Sequence, residues 1–275
     1  MSADVTVVIP VWDAYVPLLV ECVETVLAQE GPDATVVIVD NASTMPLPVL
    51  PERVEVVRLR ERCSVGAARN AGLRAVRTPY VCFFDADDRM LPGLLRRLHE
   101  RLERDARTVA AVAPFLAWDP VADRRRQLPR MPRPIVRRVS AYPRLFAVAG
   151  VFFNSFLVAG GMYRTAAVLD AGGFDDGDLG EDWVLAAALA FRGRFEFVAE
   201  PGFLHRTEAG SLWYRTHTRR ELRRVYASVR RRIARDASVP VWGQAALRLA
   251  RPVHALEIRR RTRGGTASPK TVFER

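Results

Sequence analysis

The sequence predicts an α/β domain on a mostly parallel sheet flanked by helices, followed by a helical C-terminal extension. Three observations predict it. Short β-branched runs such as Val5-Thr6-Val7-Val8-Ile9 and Val36-Val37-Ile38-Val39 alternate with segments whose apolar residues recur at helical spacing. Acidic residues stand just past the ends of those runs. Beyond about residue 215 the alternation gives way to Arg-rich helical sequence.

Taken in order, residues 5–9 read as a buried strand that Pro10 ends. Leu18, Leu19, Cys22, Val23, Val26 and Leu27 mark an amphipathic helix over residues 16–29, broken at Gly31-Pro32. Residues 36–39 form a second strand ending at Asp40, and residues 54–59 a third. A helix over 66–76 leads to a fourth strand over 80–84, and a third helix covers 91–103 with Pro92 in its first turn. Residues 119–143 read as a long, Arg- and Pro-rich surface loop. Order returns over 146–162. A helix opens at Glu181-Asp182-Trp183 and runs to Phe191, and a late strand covers 195–198. Thr218-Arg219-Arg220-Glu221 has the spacing of a capping box, and a helix over 241–258 is interrupted at Pro252. The expected division is 1–215 for the α/β domain and 216–275 for the extension.

With 49% hydrophobic residues the chain can bury a substantial core, and its formal charge of +11 comes almost wholly from arginine, since Lys270 is the single lysine. That chain-wide arginine usage reads as codon bias, so the charge by itself does not predict nucleic-acid binding. Cys22, Cys63 and Cys82 lack CxxC spacing, which excludes a zinc or disulfide framework, and Cys22 and Cys82 sit in core-like patterns. Asp4 so close to Met1 and a short first apolar run predict no signal peptide. The most apolar long stretch, 145–162, carries Asn154, Ser155, Gly160 and Gly161 and reads as core, not as a membrane span. A cytoplasmic protein is expected, with peripheral contact at the inner membrane face left open.

The chemistry concentrates at Asp85-Ala86-Asp87-Asp88. Three carboxylates in four residues repel one another unless a cation sits among them, and hard divalent cations share such oxygen ligands with substrate phosphates. The plain alternative is a solvated acidic turn. Because parallel sheets bind ligands outside the carboxyl ends of their strands, Asp13, Asp40 and Asp85 to Asp88 should share one rim although they are distant in sequence. Trp12 offers a flat surface for a base, with a rim or core aromatic as the alternative, and Asp40 an acceptor for a ring N–H, with a turn cap as the alternative.

Six motifs in order, Val8-Ile9-Pro10-Val11-Trp12-Asp13, Val39-Asp40-Asn41-Ala42-Ser43-Thr44, Gly66-Ala67-Ala68-Arg69-Asn70-Ala71-Gly72, Asp85-Ala86-Asp87-Asp88, Gly172-Gly173-Phe174-Asp175 and Gly180-Glu181-Asp182-Trp183, resemble those of the family 2 glycosyltransferases over roughly residues 5–212. The resemblance implies the GT-A fold, a Rossmann-like sheet, and an inverting transfer from a nucleotide sugar, with UDP- or dTDP-linked donors expected. It implies that Pro10, Trp12, Asp13 and Asp40 frame the base and that Arg69 lies near the nucleotide or braces Asp40 and Asp85. It further implies that Asp85 and Ala86 of the DxD motif line the ribose and diphosphate, and that Asp87, with Asp85, holds Mn²⁺ or Mg²⁺. Asp182 is the implied general base and Glu181 a positioning carboxylate, while Trp183 is either an acceptor wall or core. His205 or Glu208 is a candidate to complete the metal shell. Many relatives carry Asp-Gly where this chain has Asn41-Ala42, which sets the ribose side apart in detail. The acceptor hydroxyl is not named by the sequence.

Two other readings stay open. A GT-A scaffold that has lost catalysis would keep the fold and bind nucleotide without turnover. The basic helix after Thr218, with Arg219, Arg220, Arg223, Arg224, Arg230 and Arg231 on one face and Leu222, Val225, Tyr226, Val229 and Ile233 on the other, packs on the domain with a solvated face or meets a membrane surface or a second copy.

Overall fold

A computed structural model describes residues 3–127, 139–152, 158–207 and 218–263. Its main sheet has the order β10–β6–β9–β4–β1–β2–β3. β1 (Val5–Val11), β2 (Ala34–Asp40), β3 (Val54–Arg58) and β4 (Tyr80–Phe83) are parallel neighbours, as are β6 (Thr108–Val112) and β10 (Arg194–Phe197). β9 (Gly161–Arg164) runs antiparallel between β4 and β6, so the sheet is mostly rather than wholly parallel. A second, smaller sheet has the order β5–β11–β7–β8, from β5 (Arg89–Met90), β11 (Phe203–Arg206), β7 (Phe115–Asp119) and β8 (Arg124–Gln127).

The uninterrupted apolar strands are explained by cover on both faces. Val7, Ile9, Val36, Ile38, Cys82 and Phe84 share one core with α1 (Leu19–Leu27) and α3 (Leu94–Glu103). Val8, Val37, Val39, Val81 and Phe83 share the other with α2 (Val65–Ala75), α4 (Pro143–Phe152) and α6 (Glu181–Leu189). α5 (Thr165–Asp170) follows β9. The C-terminal helices α7 (Arg219–Arg235) and α8 (Val241–Arg263) contribute Leu222, Tyr226, Val229, Ile233, Ala250 and Ile258 to this second core.

Several expectations are corrected. Pro10 does not end β1, which runs on to Val11. The carbonyl of Val8 accepts from Phe84 on the β4 side and that of Val11 from Asn41 on the β2 side, so Pro10 faces the β4 edge beyond the last pair and no ladder donor is lost there. The first helix is a 3-10 turn over Asp13–Leu18, with Pro17 inside it, followed by the shorter α1. The third helix begins only at Leu94, after Gly93 in the left-handed region. Residues 124–127 of the expected loop are β8, paired with β7, and 128–138 lie outside the described residues. β6, β7 and β11 have no counterpart in the expected elements: each is only four or five residues long, and β11, Phe203-Leu204-His205-Arg206, is half polar. α8 passes through Pro252, which is exposed, so a carbonyl freed by the missing N–H meets solvent. No described helix is long and apolar enough to cross a membrane.

Candidate active site

The rim at the carboxyl ends of β1, β2 and β4 holds the expected acids. Parallel register sets Val11, Asp40 and Arg58 side by side. Asp40 is fully buried. Its Oδ1 accepts the Ser43 N–H at 2.9 Å, the geometry of a turn cap, and its Oδ2 lies 2.9 Å from Nη1 of Arg58. That second contact is a charge pair, not an aligned hydrogen bond. Ala42, in the turn that follows, has φ +55°, a conformation that favours glycine. Asp13 accepts from the Thr44 and Met45 backbone at 2.7 and 2.8 Å, and these bonds, Met45's foremost, hold its carboxyl below the usual range. Trp12 is half-buried, edge-on to Tyr15 at 4.5 Å, with the Arg62 guanidinium 5.1 Å from its ring centroid. Pro10 and Ala86 are buried.

The acidic turn divides its three carboxylates among different partners. Asp85 accepts from Nη2 of Arg69 at 2.5 Å. Asp88 is fully buried and turned toward β11. It lies 3.1 Å from Nδ1 of His205 through either oxygen and accepts the Arg206 N–H at 3.0 Å. Burial alone would lower the pKa of His205, but Asp88, then Asp87 and Asp85, outweigh it and hold the imidazole at about 9. Its charge therefore offsets the acids from behind. Arg206 reaches back from β11 to the Asp87 carbonyl at 3.1 Å. Burial, then Asp88 and Asp85, push the Asp87 carboxyl up to about 8.

Arg69 is the hub. It projects from α2 and is buried, its Nη1 donating to Glu181 at 2.6 Å while Nη2 serves Asp85. Burial opposes its charge, but Asp85 and Glu181 outweigh burial and keep it protonated. Glu181 and Asp182 open α6, whose first turn favours negative charge. Gly180 precedes them at φ +71°, and a Cβ there would stand 2.4 Å from Val225 of α7, so the entry to α6 is closely packed. Burial, then Asp182, raise the Glu181 carboxyl to about 7 against the pull of Arg69. Asp182 is half-buried and its Oδ1 accepts its neighbour's N–H at 2.7 Å.

The structure corrects one assignment and decides between two readings of another residue. Arg69 braces Asp85 and Glu181, not Asp40, whose partner is Arg58. Trp183 is core: it is buried, donates to the Gly150 carbonyl at 2.6 Å and stacks edge-on against Tyr226. Gly66 and Gly72 are packing glycines, with Asp175 O and Val8 Cγ1 2.0 and 2.3 Å from where a Cβ would stand. Glu208 lies outside the described residues. Sequence reasoning missed Arg58, Arg62 and the Asp88–His205 pair. Arg58 had one available signal, its place at the end of a strand adjacent to Asp40's, whereas the pairing of residues 88 and 205 depends on the second sheet.

Among the described residues no group of three His, Cys, Asp or Glu side chains is close enough to enclose a metal ion. The donor set still suits a hard cation, because Asp87 is a crowded carboxylate not neutralised by an arginine, and such ions are often held by one or two carboxylates plus substrate phosphates.

Residues 6–159 match the family model for glycosyl transferase family 2. A succinoglycan biosynthesis protein, ExoO, of Rhizobium meliloti is 36% identical over 112 residues, covering 39% of this chain and 32% of that protein. The glycosyltransferase GlyG of Streptococcus pneumoniae is 27% identical over 117 residues, covering 40% and 38%. The matches thus span less than two fifths of these relatives. Among solved structures, S. aureus TarS 1–349 in complex with UDP-GlcNAc superposes with a TM-score of 0.66 at 15% identity, covering 91% of this chain and 72% of that one. The mannosyltransferase PcManGT of Pyrobaculum calidifontis, in complex with GDP-Man and Mn²⁺, gives 0.59 at 19% identity, covering 100% and 79%. These structural likenesses establish the fold, a GT-A one, and with the family match over more than half its length the chain belongs to glycosyltransferase family 2.

Proposed function

We propose that the chain moves a sugar from a nucleotide-sugar donor to an acceptor hydroxyl by inverting displacement. The observation that carries this is the Arg69 bridge, which ties the DxD turn at the end of β4 to the first turn of α6. It bears on a reaction that needs a diphosphate grip and a base in one cleft.

Asp182 is assigned the base. It takes the acceptor hydroxyl proton as that oxygen bonds to the anomeric carbon and the bond from that carbon to the diphosphate oxygen breaks. Asp87, with Asp85, is assigned to the diphosphate side, where a bound Mn²⁺ or Mg²⁺ would neutralise charge gathering on the leaving group. Glu181 acts through Arg69 and is a positioning residue. Asp40, Asp13 and Trp12 form the nucleotide end, with Arg58 and Arg62 added from the geometry around them. UDP-linked donors are proposed first and dTDP-linked second. TarS with UDP-GlcNAc supports the first choice, and PcManGT with GDP-Man and Mn²⁺ supports testing a purine donor and a divalent ion alongside. The proposed domain limits are 1–215 and 216–275.

A thermal-shift panel of UDP-, dTDP- and GDP-sugars with Mn²⁺, Mg²⁺ or chelator tests the donor, and Asp182→Asn and Asp87→Asn test the roles. Asp182→Asn should keep donor binding and lose most turnover, and Asp87→Asn should lose metal-dependent donor binding. Wild-type transfer by either variant would overturn its assignment, and donor binding without turnover toward any acceptor class would favour a scaffold.

A further inference from the structure

We propose that the α7–α8 hairpin is a docking face for an anionic lipid bilayer surface. The proposal does not depend on the transferase reading.

The first observation is a contrast in charge pairing. About half of the arginines of the α/β body meet a carboxylate, among them Arg53, Arg58, Arg69, Arg107, Arg192 and Arg194. On α7 the pattern changes. Among the described residues no carboxylate forms an ion pair with Arg219, Arg220, Arg223, Arg224, Arg230 or Arg231. At about 100° per residue these six fall on one arc, adjoining the buried stripe of Leu222, Tyr226, Val229 and Ile233. Arg219, Arg223 and Arg230 also line a groove of about 470 Å³ with Arg251 and Arg259 of α8. Arg230 is held there against its own kind: burial, then Arg251 and Arg231, lower its pKa. Arg230 donates to His254, but among the described residues the groove lining holds no carboxylate, and like charges gathered there are costly unless an anion meets them.

The second observation is apolar and lies on α8. Trp242, Leu249 and Leu256 are seven residues apart, hence on one side of the helix; Leu249 and Leu256 are 66% and 68% exposed, and Trp242, 36% exposed, rests one face on Phe191. The opposite side, Gly243, Ala246, Ala250, His254 and Ile258, is buried. Exposed Arg248 and Arg259 flank one side of the apolar row, while Arg251 faces the groove toward α7. An apolar row with Trp and Leu edged by arginines suits the interface of a bilayer, where the row enters the acyl boundary and the cations meet phosphates. A nucleic acid would use the arginines and leave the row in water, so the bilayer is favoured. The face lies in the same helical layer as the proposed base, since Tyr226 of α7 stacks on Trp183 of α6 at 5.0 Å, next to Asp182.

The test is co-sedimentation of the full chain with neutral phosphatidylcholine vesicles and with vesicles containing roughly 30% phosphatidylglycerol, at about 0.1 and 0.5 M salt. Wild type should partition to the anionic vesicles alone and less at high salt. The variant R219Q/R220Q/R223Q/R224Q should lose more than about tenfold, and L249S/L256S should lose the part that survives high salt. Neither variant breaks an ion pair or a buried contact, and unchanged melting temperatures check that both are folded. Equal binding to neutral vesicles, no wild-type binding to either, variants that bind like wild type, or release by an RNA duplex that binds more tightly than lipid would each overturn the proposal.

Discussion

Arg69 and Glu181 are 112 residues apart and meet at 2.6 Å, while the other nitrogen of the same guanidinium grips Asp85. One buried side chain therefore fixes the distance between the end of β4 and the start of α6. Replacing it leaves two carboxylates facing each other with little water. Arg69→Leu should cost about 3–5 kcal/mol of stability. Arg69→Lys should recover only part of it, because one ammonium cannot serve both acids as a fork does. Urea denaturation of the two variants checks this, and a Leu variant as stable as wild type would mean the bridge does not hold the site together.

Ala42 occupies a left-handed turn at φ +55° just beyond Asp40. Ala42→Gly should remove the strain while loosening the unfolded chain, a net gain of about 0.5 kcal/mol. In a chain of this size that is a rise of about 1–2 °C in melting temperature, readable by calorimetry. A fall would show that the turn is not strained.

Gly72 lets α2 close on the sheet. A Cβ there would stand 2.3 Å from Val8 Cγ1 and 2.8 Å from Val39 Cγ2. Gly72→Ala should lose about 1–3 kcal/mol by overpacking, more than the roughly 1 kcal/mol that helix propensity returns. Since Val39 leads directly to Asp40, donor affinity should fall with stability. The melting temperature and a nucleotide titration report the two effects separately.

His254 links three helices. Its Nε2–H donates to the Val151 carbonyl of α4 at 3.0 Å, and its Nδ1 accepts from Arg230 of α7 at 2.8 Å. Only the neutral ring can do both, and burial foremost, with the Arg230 charge, lowers its pKa from 6.5 to about 4. The sign follows: the folded state refuses a proton that the unfolded state takes up below about 6.5. Stability is complete above that pH and falls progressively as pH drops toward 4, by up to about 3 kcal/mol. His254→Gln should flatten this part of the profile relative to wild type. Parallel urea midpoints for the two proteins between pH 7 and pH 4, set by buffer, would refute the assignment.

Much of the architecture was legible because it rests on local patterns. The β-branched runs of β1, β2 and β4 carry their own burial signal, since a strand covered on both faces has no polar alternation to hide it. The cap at Thr218 was legible because both of its partners lie within four residues. β9 and β11 were not, because Gly161–Arg164 and Phe203–Arg206 hold no β-branched residue and each ends in a charged one, so their neighbours define them.

The sequence by itself determined which residues carry charge at strand ends and helix starts, and so which acids were candidates for a site: Asp40, Asp85 and Asp87 stood out at strand ends, and the family resemblance added Asp182. Tertiary structure alone decided their partners. Arg69 serves Glu181 rather than Asp40, Asp88 turns to His205, and Trp183 goes to the core. The reason is physical. Which elements occur is set by interactions a few residues long, whereas ion-pair choice depends on distances and burial between segments a hundred residues apart, which exist only after the sheets and helices have packed.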